Sequence, residues 1–301
     1  GQIGAELTML LRSQNGNSNV IAADIKQAEG ELFESGPFEV LNVLDKAGIA
    51  AVADKYKITQ IYNMAAMLSA TGEKFPQKAW QLNMDGLINT LEIAREKGIS
   101  KMYWPSSIAA FGPTTPKVDT PQTTIMEPNT IYGISKQAGE RWCEWYYLKY
   151  GLDVRSIRYP GIISYKTEPG GGTTDYAVDI YFKAKQTGKY TCYIAEDTLL
   201  PMMYMPDAIK ATIQLMDAPA EKIKVRSSYN LAAMTFSPKM VGAAIKKYIP
   251  DFELTYDIDF RQKIAETWPG SIDDSAARND WGWQHEYDLD KMTVDMLKHI
   301  K

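Results

Sequence analysis

"GQIGAELTMLLRSQNGNSNVIAAD" (residues 1–24) joins two glycines three apart, an amphipathic stretch and a short apolar run ending in an acid. Gly1 and Gly4 match the last two glycines of a turn in which the missing Cβ atoms let backbone approach a pyrophosphate at a helix N-terminus. A plain pair of turn glycines gives the same pattern. Asp24 closes the run "NVIAAD" (19–24) twenty residues after Gly4. A carboxylate there accepts hydrogen bonds from adenosine ribose hydroxyls and repels a 2′-phosphate, which favours NAD over NADP. Lys26 softens that preference, and a turn-capping role for Asp24 is the alternative.

Outward from this unit, apolar runs alternate with helical patterns. The runs are "FEVLNV" (38–43), "QIYNMAA" (60–66), "KMYWPSS" (101–107) and "DVRSIRYPG" (153–161). In "FPQKAWQLNMDGLINTLEIAREKG", Trp80, Leu87, Leu91 and Ala94 recur near helical spacing and Gly98 stands where a helix stops. Strand–helix alternation implies parallel pairing with right-handed crossovers, so we expect an α/β fold with a doubly wound parallel sheet. No run precedes Gly1, although such a sheet has a central first strand whose loss leaves backbone groups of both neighbours unpaired. We therefore expect about one further strand and turn ahead of Gly1.

Beyond residue 164 the pattern loosens. "EPGGGTT" (168–174) reads as a loop, followed by a helix near 176–187, a strand near 190–195, a helix near 206–217 and a strand at 224–232. The expected division is a nucleotide-binding domain (1–163 and 201–232) and a smaller, discontinuous α/β lobe (164–200 and 233–301) that supplies substrate contacts. Ligands of such sheets bind outside the carboxyl ends of the strands.

The 33 basic and 37 acidic residues are mixed along the chain, which argues against a nucleic-acid or anionic-membrane footprint. No stretch reaches the roughly 18 apolar residues of a membrane span. Cys143 and Cys192 are far apart and, like His285 and His299, stand at no metal-ligand spacing. A reducing cytoplasm fits this cysteine usage best, and no metal site is expected. Trp268, Trp281 and Trp283 read as core of the lobe.

Tyr132 and Lys136 are four apart in "YGISK", on one face of a helix. A phenol titrates near 10 in water, and a fixed ammonium beside it favours the phenolate, so the pair is a candidate proton-transfer unit. Such a pair also occurs on plain solvated helices. Ser107, at the end of the strand run "KMYWPSS", adds a hydroxyl on the ligand side of the sheet.

Gly1 and Gly4, Asp24, "NMAA" (63–66), Asn83, "PSSIAAFG" (105–112), "YGISK" (132–136) and "RYPGII" (158–163) together resemble the ordered motifs of the extended short-chain dehydrogenases/reductases, a Rossmann-fold family. Within it, "AAMLSATGE" (65–73), "PGGGTTDYA" (169–177), "LPMMYMPDAI" (200–209) and "WPGSIDDSAARNDWGW" (268–283) resemble the short-chain L-threonine 3-dehydrogenase branch. The resemblance implies Tyr132 as base, Lys136 lowering the phenol pKa and holding the nicotinamide ribose, and Ser107 holding the reacting oxygen. It implies NAD contacts at Gly1, Gln2, Ile3, Gly4, Asp24, Asn42, Val43, Met64, Ala65, Ala66, Leu68, Asn83, Tyr132, Lys136, Tyr159 and Ile162. Strand-end residues of these types also simply pack.

The small amino-acid substrate implied by that branch, L-threonine, would meet Ser69, Ser107, Tyr132, Thr173, Thr174 and Asp175. The implied product is 2-amino-3-oxobutyrate. The family also pairs subunits through helices near 80–97 and 131–150, and Trp142, Trp145 and Tyr146 suit a homodimer. Two alternatives stand beside this reading: a nucleotide-sugar epimerase or dehydratase, and an NAD-sensing binding protein without chemistry.

Overall fold

Apolar runs become strands where successive side chains have a core to enter on each side. In the computed structural model, which describes residues 1–166, 168, 170 and 172–300, Met102 packs with Ile49, Leu87, Leu91, Trp104 and Val154. Its neighbour Tyr103 packs with Leu7, Ile157, Met203, Ala208 and Tyr229. This is the period-two alternation of a strand covered on both faces. One core involves the helices Lys46–Tyr56, Gly86–Glu96 and Ile131–Tyr150, and the other the helices Gln2–Asn15 and Met205–Asp217.

Gln60–Tyr62, Lys101–Tyr103 and Asp153–Arg155 pair in parallel, with Met102 registered between Ile61 and Val154. The next stretch of the sheet is Ser106–Ser107, Ile157–Tyr159 and Tyr229–Asn230, again parallel. Pro105 separates the two stretches because it has no N–H to donate, yet Trp104 N still reaches Arg155 O at 3.1 Å. Gly161–Ile163 pairs in parallel with Leu200–Tyr204, which takes Met234–Phe236 antiparallel. Among the described residues Ala22–Asp24 pairs only with Phe38–Val40. The α/β architecture with parallel strands is therefore the one expected.

The remaining elements form a third core, in which Tyr176, Ile180, Cys192, Phe236, Phe252, Trp268 and Met292 meet. Here Lys189–Cys192 pairs in parallel with Glu253–Tyr256, and the helix Tyr176–Thr187 falls where its pattern placed it. Of the expected loop at 168–174, Pro169 and Gly171 lie outside the described residues. No helix among the described residues is long and apolar enough to cross a membrane.

Two local expectations differ from the structure, and one strand was not expected. Only Tyr229–Asn230 of the run 224–232 is strand, because the Tyr229 hydroxyl accepts from Lys224 N and Val225 N at 3.0 and 3.2 Å and folds the preceding chain around itself. Leu200–Tyr204 is a strand that its sequence conceals, since all five residues are buried and no alternation shows. Trp281 and Trp283 pack against Tyr229 and the helix Met205–Asp217, not with Trp268. The indole of Trp283 donates to Asp274 Oδ2 at 2.9 Å.

Candidate active site

The helix Ile131–Tyr150 begins at Thr130, whose hydroxyl accepts from Gly133 N at 3.1 Å. Gly133 lets the helix lie on the turn Ile108–Ala110, for a Cβ there would collide with Ala109 O. The same turn is capped by Ser107, which accepts from Ala109 N at 3.2 Å. One contact between a strand end and a helix start thus brings Ser107, Tyr132 and Lys136 together. Lys136 Nζ donates to Pro105 O at 2.5 Å and lies 4.4 Å from the Trp104 ring centre and 5.6 Å from that of Tyr132.

Burial dominates the electrostatics of this pair. It pushes the Tyr132 phenol up to about 12, with the Ser107 hydroxyl beside it acting in the opposite direction. It pulls the Lys136 ammonium down to about 7, against the influence of Cys143 and Glu140. The expectation that Lys136 brings the phenol below its ordinary value therefore does not hold in this cleft as it stands. Desolvation of a charged oxygen outweighs an ammonium that is itself desolvated.

On the cofactor side, the helix Gln2–Asn15 starts with no side-chain cap and no acid in its first turn, so its leading N–H groups are free to face an anion. A Cβ at Gly1 would meet nothing within 4 Å, and Gly4 faces Met64 at ordinary contact distance. Gln2 and Ile3 between them are half-buried. Gly1 N lies 3.7 Å from Asp24 Oδ2, so helix start and acidic strand end meet, with the Asp24 side chain exposed. These residues fit a dinucleotide, with the pyrophosphate at the helix start and ribose hydroxyls at Asp24.

Met64, Ala65, Ala66 and Ile162 are half-buried and Leu68 is exposed, so all can be reached from solvent. Four other positions already make protein contacts. Asn83, in a wide π-turn at Gln81–Asp85, accepts from Met67 N at 2.8 Å and donates to Met67 O at 3.2 Å and Ser135 Oγ at 3.1 Å. It braces the 64–69 segment against the Tyr132 helix, with both N–H groups of its amide already donated. The Tyr159 hydroxyl is bonded to Thr212 and Ala208 O, which leaves only its backbone for a ligand. Asn42 accepts from Leu44 N at 3.0 Å, and Val43 O accepts from Asn89 Nδ2 at 3.1 Å.

Asn63, expected only as part of the motif "NMAA", shapes the strand end by accepting from Ala65 N at 3.2 Å while donating to Thr90 Oγ1 at 3.2 Å. An Asn directly after an apolar run was the available signal. Glu140 is not among the expected site residues. This carboxylate takes Ser106 Oγ at 2.6 Å and Arg158 Nε and Nη2 at 2.9 and 2.8 Å, locking the Ser107 strand to the Lys136 helix.

The hydroxyls suggested for a small substrate lie on two segments. Ser69 and Thr173, both buried, share a hydrogen bond of 3.1 Å across 104 residues of chain. Thr174 sits against Gly161, and Asp175 Oδ2 accepts from Gly172 N at 2.8 Å, bracing its own loop. The helix Ser69–Lys74 touches the Tyr132 helix at Gly72, where a Cβ would lie 3.9 Å from Tyr132 Cβ.

The chain as a whole is similar to several known proteins. An uncharacterized epimerase/dehydratase of Staphylococcus saprophyticus is 54% identical over 303 aligned residues, covering 100% of this chain and 94% of that one. The GalE-like L-threonine dehydrogenase of Cupriavidus necator, in its holo form, superposes with a TM-score of 0.98 at 56% identity, covering 100% of this chain and 97% of that one. The L-threonine dehydrogenase of Clostridium difficile does so with a TM-score of 0.97 at 51% identity, covering 100% and 94%. The model of the NAD dependent epimerase/dehydratase family matches residues 1–232, the stretch that holds the glycine turn, Asp24, Ser107, Tyr132 and Lys136. The chain therefore belongs to the NAD dependent epimerase/dehydratase family.

Proposed function

We propose that this chain oxidises the 3-hydroxyl of L-threonine to 2-amino-3-oxobutyrate with NAD. The observation that carries the reading is its end-to-end likeness to L-threonine dehydrogenases of two bacteria, in sequence and in fold. NAD, when bound, supplies the acceptor for the hydride that leaves carbon 3. Tyr132, as phenolate, takes the proton of the substrate hydroxyl, and Ser107 holds that oxygen within its reach. Lys136 stabilises the phenolate by its charge. Residues 1–163 and 201–232 hold the cofactor in this reading, while 164–200 and 233–301 close over the substrate.

The test is direct. Purified protein with NAD and L-threonine is followed by the absorbance of reduced cofactor, and then with nucleotide-sugars in place of threonine. Turnover of threonine is the expected result. Turnover of sugars alone returns the reaction to the epimerase or dehydratase class, and cofactor binding without turnover leaves a sensing protein.

Ser69 and Thr173 offer their hydroxyls to the substrate carboxylate, and Thr174 and Asp175 complete the zwitterion's surroundings. Ser69→Ala is expected to raise the KM for threonine about tenfold with kcat nearly unchanged, as one lost hydrogen bond to a charged group predicts. An unchanged KM removes Ser69 from the substrate site.

Trp142, Trp145, Leu148 and Tyr150 leave an aromatic and apolar face of the Tyr132 helix exposed, with Leu148 at 74%. We assign this face to pairing with a second copy of the chain. Light scattering is expected to give twice the chain mass for the native protein and the single mass for Leu148→Glu; a native monomer refutes the assignment. The two cysteines are free and buried, in keeping with a reducing cytoplasm.

A further inference from the structure

Lys136 is a buried cation, 2% exposed, that forms no ion pair among the described residues. Glu140, one turn further along the same helix face, is the acid placed to pair with it. Both its oxygens are already held, Oε1 by Ser106 and Arg158 and Oε2 by Arg158. What meets the ammonium instead is Pro105 O and the face of the Trp104 indole, with 4.4 Å from Nζ to the ring centre. Trp104 is itself 2% exposed. Room for it is made by Gly139, where any Cβ would strike the far edge of the indole.

The choice of an aromatic face over a carboxylate has an electrostatic consequence. A carboxylate would hold Lys136 firmly, but its own negative charge would cancel the field of the ammonium at Tyr132. A ring quadrupole and one carbonyl dipole favour the cation locally and leave a whole positive charge to act on its neighbours. The Tyr132 ring centre is 5.6 Å from Nζ. The other ionisable groups around Lys136 are Cys143 and Glu140 on its own helix, Arg158 behind Glu140, and Glu73, which binds the helix start at Ile131 N.

We propose that Trp104 is a positioning residue for the reaction, its indole face seated against Gly139 and holding the Lys136 ammonium beside Tyr132 in place of a counter-ion. This rests on the reading of Tyr132 as the base. Removing the ring face destabilises protonated Lys136 in particular, so the ammonium gives up its proton more readily.

The experiment titrates Lys136 by carbon NMR of lysine labelled at Cε, the resonance being assigned by its loss in Lys136→Met, and runs NAD-dependent threonine turnover across the same pH range. In Trp104→Leu the Lys136 titration is expected to move down by about one unit, and the pH at which kcat stops rising to move with it. At the optimum kcat should fall about tenfold with little change in KM. Trp104→Phe, which keeps a smaller ring and most of the packing, should fall between the two and serves if the Leu variant does not fold. Gly139→Ala, which pushes the indole without removing it, should shift the titration in the same direction. An unshifted titration in both Trp104 variants overturns the proposal, and so does an upward shift, which water entering the space left by the ring would cause. If the native protein leaves threonine untouched while the titration shifts, the reaction reading fails and the support of Lys136 by Trp104 stands.

Discussion

Tyr132→Phe is expected to lower threonine-dependent reduction of NAD by about a thousandfold, the usual contribution of a positioned proton acceptor. The ring stays, so the packing of Tyr132 against the third core is kept, and only the oxygen that would receive the proton is lost. NAD affinity, measured separately by fluorescence titration, should change little. In the native protein burial holds the phenol up at about 12, and only the ionised form accepts a proton. The ionised fraction grows with pH below that value, so kcat should rise by up to about tenfold per unit over the acid side of the profile. A positive charge in the cleft favours the phenolate and moves this limb to lower pH, never higher. Retained turnover in Tyr132→Phe, or a rate that falls as pH rises from acid to neutral, removes Tyr132 from the role of base.

The largest loss of stability should come from Arg158→Met. Arg158 and Glu140 are buried together, with side chains 3% and 1% exposed and a closest approach of 2.8 Å. The guanidinium also donates to Asn230 Oδ1 and Gln122 O, tying three separated segments to one point. Deleting the cation leaves the Glu140 carboxylate in the core with only Ser106 to serve it. Breaking such a pair from one side costs about 3–5 kcal/mol, to be read as a drop in the urea midpoint with an unchanged m-value. The double variant Arg158→Met with Glu140→Leu should recover part of the loss, because two apolar groups of similar volume leave no orphaned charge. Equal stability of single and double variants would show that the charge itself carries none of the cost.

The helix of Tyr132 illustrates how much of this protein is written locally. A four-residue spacing puts the phenol and the ammonium on one face in any helix, and glycines three apart followed by an acid twenty residues on need no partner to be recognised. Alternating apolar and amphipathic runs likewise point to a parallel sheet before any contact is known. Asn83 and Tyr159 show the other side. Both sit in the right segments, yet one side chain is taken up by Met67 and Ser135 and the other by Thr212. Nothing within either segment announces those partners.

The chain by itself determined the alternation of elements, the face on which Tyr132 and Lys136 stand, and the strand end that carries Ser107. Tertiary structure alone decided that both ionisable groups of the pair would be desolvated, that Glu140 would turn to Arg158 instead of Lys136, and that Ser69 would meet Thr173. The reason is the range of the forces. Helical and strand periodicities depend on neighbours a few residues away, whereas desolvation and the pairing of buried polar groups sum over segments such as those 104 and 112 residues apart that only the folded core brings together.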